Sequence, residues 1–279
     1  MKKIKVFLVL FSMLLLSSFA YVKYHGLNIN DVGLGLLNWG KKITGKSVDI
    51  SALAKEDRPT IDHQPWSDLL QQYVDATGKV NYEGFIQDSV KLSQYLELLS
   101  KNPPGQNWTD NDKLAYWINT YNAFTVQLIV DHYPLKSIKD VVDGSGLVNS
   151  PWDLKFFKIG NVSFDLGTIE HEILRKEFKE PRIHFAVNCA SYSCPKLLNE
   201  AYLADRMEEQ LDAQAKDFLH DERKNIINKK ETKLSKIFDW FESDFKLVGG
   251  VSSFIEKNQS NFNPSLAIEY LDYNWELNN

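Results

Sequence analysis

The sequence predicts an α+β protein, a helix-rich single domain packed on a small, mainly antiparallel sheet. Three observations carry this. Apolar residues recur at helical spacing along several long segments, and short pieces rich in strand-forming residues lie between turn signals. The 279 residues, 43% hydrophobic and 13% aromatic, supply a large core. The formal net charge is −5, and an acidic surface argues against nucleic acid as the main partner.

The first twenty residues read as an export signal. Lys2, Lys3 and Lys5 precede the apolar run Val6 to Leu16, and Ser18-Phe19-Ala20 is a small-x-small cleavage pattern. The run falls short of the roughly 20 residues that span a bilayer, which favours cleavage over an uncleaved anchor. Removing those three lysines takes the charge from −5 to −8. The protein is therefore expected outside the cytoplasm, periplasmic or extracellular, with any membrane attachment limited to an uncleaved N-terminus. Residues 21–63 lack a sustained period and read as a linker or arm, leaving a globular domain over 64–279.

In that domain, Leu69, Leu70, Tyr73 and Val74 share a helical stripe that stops near Thr77-Gly78, and a second helix is expected over Phe85 to Leu99, closed by Pro103-Pro104-Gly105. The third is best defined. Thr109 and Asp112 form a capping-box pattern, and Leu114, Trp117, Ile118, Tyr121, Phe124 and Leu128 follow at i, i+3/4, i+7. At 100° per residue, Asn122 lies about 80° from Leu114, at the border of the apolar face, while Asn119 lies further round at about 140°. An amide there either ties down a neighbouring loop or offers a donor to a substrate or oxyanion.

Beyond the loop around Gly144-Ser-Gly146, Phe156 to Phe164 reads as a hairpin turning at Gly160-Asn161, and Leu166 to Phe178 as a helix. Ile183 to Val187 reads as a buried strand that feeds a polar loop. Downstream come a helix over Asp205 to Leu219, a strand pair near Ile226-Ile227 and Lys233-Leu234, helices around Phe238 to Phe245 and Val251 to Ile255, and a strand-like tail from Ile268 to Trp275.

The candidate chemistry sits in Arg182 to Pro195, which holds the only two cysteines, Cys189 and Cys194. Exported cysteines either pair as a disulfide or leave one as a nucleophile. An extended Ile183 to Cys189 sets His184 about 16 Å from Cys189 and on the opposite face, which makes His184 a support residue. The base is then expected from the preceding helix, where His171 shares a side with Arg175. Glu170, Asn122, Asp239 and Asp244 are the candidates for the third member. Cys194-Pro195 reads as a helix start, where a thiol becomes more acidic, so Cys194 competes with Cys189. No HExxH, CxxC, phosphate loop or dinucleotide glycine pattern occurs, so neither metal nor cofactor is expected. Trp117, Trp152, Trp240 and Trp275 are assigned to core packing.

Leu114-Ala-Tyr-Trp-Ile-Asn-Thr-Tyr-Asn-Ala123, Ile169-Glu-His-Glu-Ile-Leu-Arg175, Arg182-Ile-His-Phe-Ala-Val-Asn-Cys-Ala-Ser191 with Cys194-Pro195, and Tyr270-Leu-Asp-Tyr-Asn-Trp-Glu-Leu-Asn278 together resemble the family catalogued as domain of unknown function 547. The likeness runs over roughly residues 66–279. It implies a distant kinship to papain-like thiol enzymes with a rearranged strand order, and through it a catalytic set of Cys189, His171 and Glu170. Asn119, Asn122, Arg175, His184, Ser191 and Cys194 are the accompanying binding candidates. The expected function is an exported cysteine-dependent hydrolase or transferase acting on an amide or thiol-containing peptide. The alternative is a non-catalytic binding module of the cell envelope with a Cys189–Cys194 disulfide.

Overall fold

Pro65 opens the first helix, α1 (Gln64–Tyr73), at a position where its missing N–H costs nothing. The computed structural model describes Leu53, residues 56–142 and residues 150–279. The expectations for the signal, most of the arm and the Gly144-Ser-Gly146 loop lie outside these residues. Among them, no helix is long and apolar enough to cross a membrane.

The expected second helix divides into α2 (Tyr82–Gln87) and α3 (Ser89–Lys101). Asn81 starts α2 by accepting from the Gly84 N–H. The long helix α4 (Asp110–His132) begins with both bonds of the Thr109–Asp112 capping box. Every residue from Leu114 to Val126 is buried, so α4 is enclosed on all sides rather than along one stripe. Asn119 and Asn122 are thereby interior, at 0% and 2% exposure.

The strands β1 (Phe157–Ile159) and β2 (Val162–Phe164) form the expected antiparallel hairpin, with Ile159 opposite Val162. Gly160 supplies the left-handed first turn residue at φ +56°, as a type II′ turn requires. The next helix begins as a π-helix, Thr168–Leu174, and finishes as one α-turn, Arg175–Glu177. π-Helical turns occur mainly at functional sites.

The strand expected at Ile183 to Val187 is instead a one-turn helix, α5 (Ile183–Ala186). Its winding starts at Pro181, whose carbonyl accepts from the His184 N–H. A short, fully apolar run has the same pattern in a buried helix as in a buried strand. Packing decides the matter here. Phe185 sits in an aromatic cluster with Phe218, Phe238, Phe245 and Phe254, with ring centroids 5.1–6.0 Å away. That cluster is built from α6 (Met207–His220), α7 (Lys236–Trp240), α8 (Glu242–Phe245) and α9 (Val251–Asn258). Between α6 and α7, β3 (Ile226–Ile227) pairs antiparallel with β4 (Thr232–Leu234), and β5 (Ile268–Tyr270) adds parallel to β4. The chain is thus helix-rich α+β, with a hairpin and a small mixed sheet. The residues after β5 run on as an extended strap.

His63, immediately before α1, is buried and its Nδ1 lies 2.7 Å from the Tyr95 hydroxyl. Burial pushes its pKa down to about 4, against a weaker pull upward from Asp62. The unfolded chain therefore binds a proton between the ordinary histidine value and pH 4 that the folded chain refuses. This contribution to stability is complete above the unfolded value and is lost as the pH falls. Wild type is expected to lose about 3 kcal/mol through this residue between pH 7 and pH 4. Urea unfolding of His63→Asn should show a correspondingly shallower loss across that window.

Candidate functional site

After α5 the backbone turns extended at Val187, and Asn188 organises the loop that follows. Its Oδ1 accepts from the Ala190 N–H at 2.9 Å, and its Nδ2 donates to the Pro195 carbonyl at 2.7 Å. The turn holds Ala190 at φ +59°, in the left-handed region. From α4, Asn122 donates to the Ala186 carbonyl at 3.0 Å and accepts from the Asn188 N–H at 2.8 Å, bridging the helix end to the loop. Asn119 makes the same double bond to the backbone of Tyr202. Both amides are therefore spent on backbone, and neither lines the cavity beside the cysteines. Asn122→Ala leaves a buried carbonyl and a buried N–H without partners, an expected loss of about 2–3 kcal/mol in thermal or urea unfolding.

The C-terminal strap closes the loop from the other side. The Tyr192 N–H donates to the Glu276 carbonyl at 2.7 Å, the Ser193 N–H to the Asn274 carbonyl at 3.2 Å, and the Asn278 N–H to the Ala190 carbonyl at 3.3 Å. This ladder carries Tyr273 and Trp275 to the cysteines.

Cys189 and Cys194 are paired, with Cα atoms 6.3 Å apart, within the span of a disulfide. The Cys189 N–H donates to Cys194 Sγ at 3.0 Å. The Tyr273 hydroxyl donates to Cys194 Sγ at 3.3 Å and lies 3.4 Å from Cys189 Sγ. Ser191 Oγ is 3.3 Å from Cys189 Sγ and donates to the Tyr273 hydroxyl at 3.0 Å. Cys194-Pro195 opens no helix, because the chain runs on there as irregular loop. The reason for expecting an acidic thiol at Cys194 therefore disappears.

The helical form of α5 also revises the histidines. The distance assigned from an extended strand does not apply, and His184 lines the same cavity as Cys189 and Cys194. Its ring stacks on Phe241 at 3.8 Å. His184 Nε2 lies 2.8 Å from Asp244 Oδ2, while its Nδ1, also buried, has no partner among the described residues. Burial lowers the His184 pKa against the opposing pull of Asp244, so the ring is neutral. A neutral ring beside a carboxylate must place its proton on Nε2, which leaves the lone pair on Nδ1.

Asp244 is anchored by Arg175, whose Nε and Nη2 donate to its two oxygens at 2.6 and 2.9 Å. Burial pushes the Asp244 carboxyl upward, but the bonds from His184 and Arg175 outweigh it and hold the group well below the usual carboxylate range. His171 lines the cavity too, on its exposed side, and its Nδ1 accepts from Arg175 at 3.3 Å. Glu170 does not orient His171. Its Oε2 accepts instead from the Tyr121 hydroxyl at 3.1 Å, which in turn accepts from Trp152 Nε1 at 3.2 Å.

The cavity measures about 160 Å³. Trp152, Trp240, Phe241, Tyr273 and Trp275 wall it, while the cysteines, His184, Glu170 and Tyr121 supply its polar edge. Three tryptophans assigned to the core thus belong to the site, and Trp240 is 46% exposed. Only Trp117 of that set is buried core. The signal that marks them is the tail's alternation Tyr273-x-Trp275, which puts two aromatics on one face of an extended chain. No group of three or more His, Cys, Asp or Glu side chains among the described residues could hold a metal ion.

Fold and site together define a class: a helix-rich α+β domain whose central helix and C-terminal strap clamp a two-cysteine loop against an aromatic cavity. Residues 105–219 match the model of the family described as Protein of unknown function, DUF547. The match takes in Tyr121, Glu170, His171, His184 and both cysteines, while Asp244 and the strap lie beyond it. No curated protein and no solved structure matches the chain.

Proposed function

We propose that the chain is an exported cysteine-dependent hydrolase or transferase acting on an amide or thiol-containing peptide, with Cys189 as nucleophile. The observation that carries this reading is the orientation of His184. Its Nε2–H is held by an ionised Asp244, its Nδ1 has no partner among the described residues, and the ring lines the cavity that Cys189 also lines. A base fixed in one tautomer by a carboxylate, in a cavity it shares with a cysteine, is a starting arrangement for activating a nucleophile. His184 therefore replaces His171 as base, since the latter faces the Arg175 cation. Asp244 takes the orienting role first given to Glu170.

In this reading two equivalents of a small thiol first reduce the Cys189–Cys194 bond and leave as their own disulfide. His184 Nδ1 takes the Cys189 proton, and the thiolate adds to the substrate carbonyl. The leaving amine or thiol recovers the proton from His184, and water or a second acceptor cleaves the thioester. The Cys189 N–H, which donates to Cys194 Sγ in the paired form, becomes available as a donor to the oxyanion. Export agrees with a paired state of the cysteines in an oxidising compartment.

The paired state also favours a second reading, in which the disulfide is a permanent clip and the aromatic cavity is a binding site of an envelope module. Iodoacetamide labelling followed by peptide mass spectrometry separates the two. The enzyme reading expects no labelling without reductant and, after mild reduction, Cys189 modified at pH 7 at least about tenfold faster than an ordinary thiol. Slow, equal labelling of both cysteines after reduction would leave only the binding module. Tyr273→Phe removes a donor near both sulfurs, and the midpoint of the Cys189 labelling profile is expected to rise by about one pH unit.

A further inference from the structure

Glu170 is a buried acid without an ion-pair partner within reach. Glu170 is only 8% exposed, and it forms no salt bridge among the described residues. Its hydrogen-bond donor is the neutral Tyr121 hydroxyl. Arg175, the cation that feels the charge of Glu170, is already engaged in two bonds to Asp244 and one to His171. The other groups facing it, Tyr273 and His184, are both neutral. A buried carboxylate without a cation is costly, and such groups ordinarily find a partner.

Glu170 faces the cavity, and the walls there are aromatic. Trp240 and Tyr273 have centroids 4.8 Å apart, and Trp152 meets Trp275 edge-on at 5.5 Å. One ring of this wall already accepts a cation, since Lys139 Nζ lies 3.8 Å from the centroid of Trp275. Aromatic faces around an acidic group attract organic cations, and alkylated ammonium groups lose little hydration on entering such a site. The volume of about 160 Å³ corresponds to roughly five waters of liquid and suits a trimethylammonium head with its first methylene.

We infer that this cavity is a recognition site for a quaternary ammonium group, with Glu170 as counter-ion and Trp240, Tyr273 and Trp275 as cation–π walls. Where Cys189 acts as the nucleophile, the site selects substrates carrying such a cation beside the bond attacked. Binding itself rests on the aromatic walls and Glu170, and does not need a reactive thiol.

Choline and its neutral carbon isostere, 3,3-dimethyl-1-butanol, are titrated against tryptophan fluorescence of the full chain at constant ionic strength. Saturable quenching by choline at least about tenfold tighter than by the isostere is expected, with Glu170→Gln and Trp240→Ala each losing about tenfold. Equal affinity for the two probes would show a merely apolar cavity and overturn the inference, as would no saturable choline response. Butylammonium binding tighter than choline would overturn the assigned class. The wild-type comparison needs no variant to fold, and circular dichroism checks those used. Loss of the nucleophile reading leaves choline binding intact, and loss of choline binding leaves thiol labelling intact.

Discussion

After mild reduction, His184→Ala is expected to slow modification of Cys189 by iodoacetamide at pH 7 about thirtyfold, the difference between a fully formed thiolate and a thiol titrating near 8.5. The expectation follows from the free Nδ1 of a ring whose other nitrogen is fixed on Asp244. A thiolate beside that ring makes the imidazolium favourable, so proton transfer from sulfur to nitrogen proceeds where burial alone opposes a charged ring. His171→Ala is the control. His171 is exposed and accepts from Arg175, so its loss should change the rate less than about threefold, the size of a small change in local charge. If His171→Ala is the slow variant and His184→Ala is not, the base belongs on the π-helix and the present assignment fails. Stopped labelling at timed intervals, with masses read on the Cys189 peptide, measures both.

The sequence made the loop visible but not its geometry. Arg182 to Pro195 draws notice because both cysteines fall in it, and the capping box, the hairpin turn at Gly160 and the amphipathic run of α6 are local signals that survive folding unchanged. The error at Ile183 to Val187 has a physical cause. An apolar pentapeptide states that it is buried, and its helical or extended form is decided by the phenylalanines from α6 to α9 that surround Phe185. The separation of His184 from Cys189 rests on that extended form and does not apply to a helical turn. Asp244 stands sixty positions from His184, and no local pattern links two residues so far apart. Asn122 and Asn119 are the opposite case. The position of Asn122 at the border of a helical face announces an amide needing partners, and both amides find backbone partners.

Asp244→Ala is expected to be the most destabilising change in the site. Asp244 accepts from Arg175 Nε and Nη2 and from His184 Nε2, and removing it strands a guanidinium that is only 24% exposed in its side chain. Taking one member from a buried, hydrogen-bonded ion pair costs about 3–5 kcal/mol, and partial exposure places this network near the lower end, about 3 kcal/mol in urea unfolding. The carboxyl is held well below its usual range, so its contribution is present above the unfolded carboxylate value and is lost only as the pH falls through the folded one. At neutral pH the full loss is therefore expected. Arg175→Met separates structure from chemistry. It removes the cation and leaves the Asp244–His184 bond, so it should lower stability while largely preserving Cys189 labelling, whereas Asp244→Asn should depress labelling even where the fold is retained, because an amide donor facing Nε2 turns the ring to the wrong tautomer. A loss below about 1 kcal/mol for Asp244→Ala would reduce the network to an ordinary surface ion pair. Equal labelling in Asp244→Asn and wild type would remove Asp244 from the machinery, since His184 would then be oriented by the Phe241 stack alone.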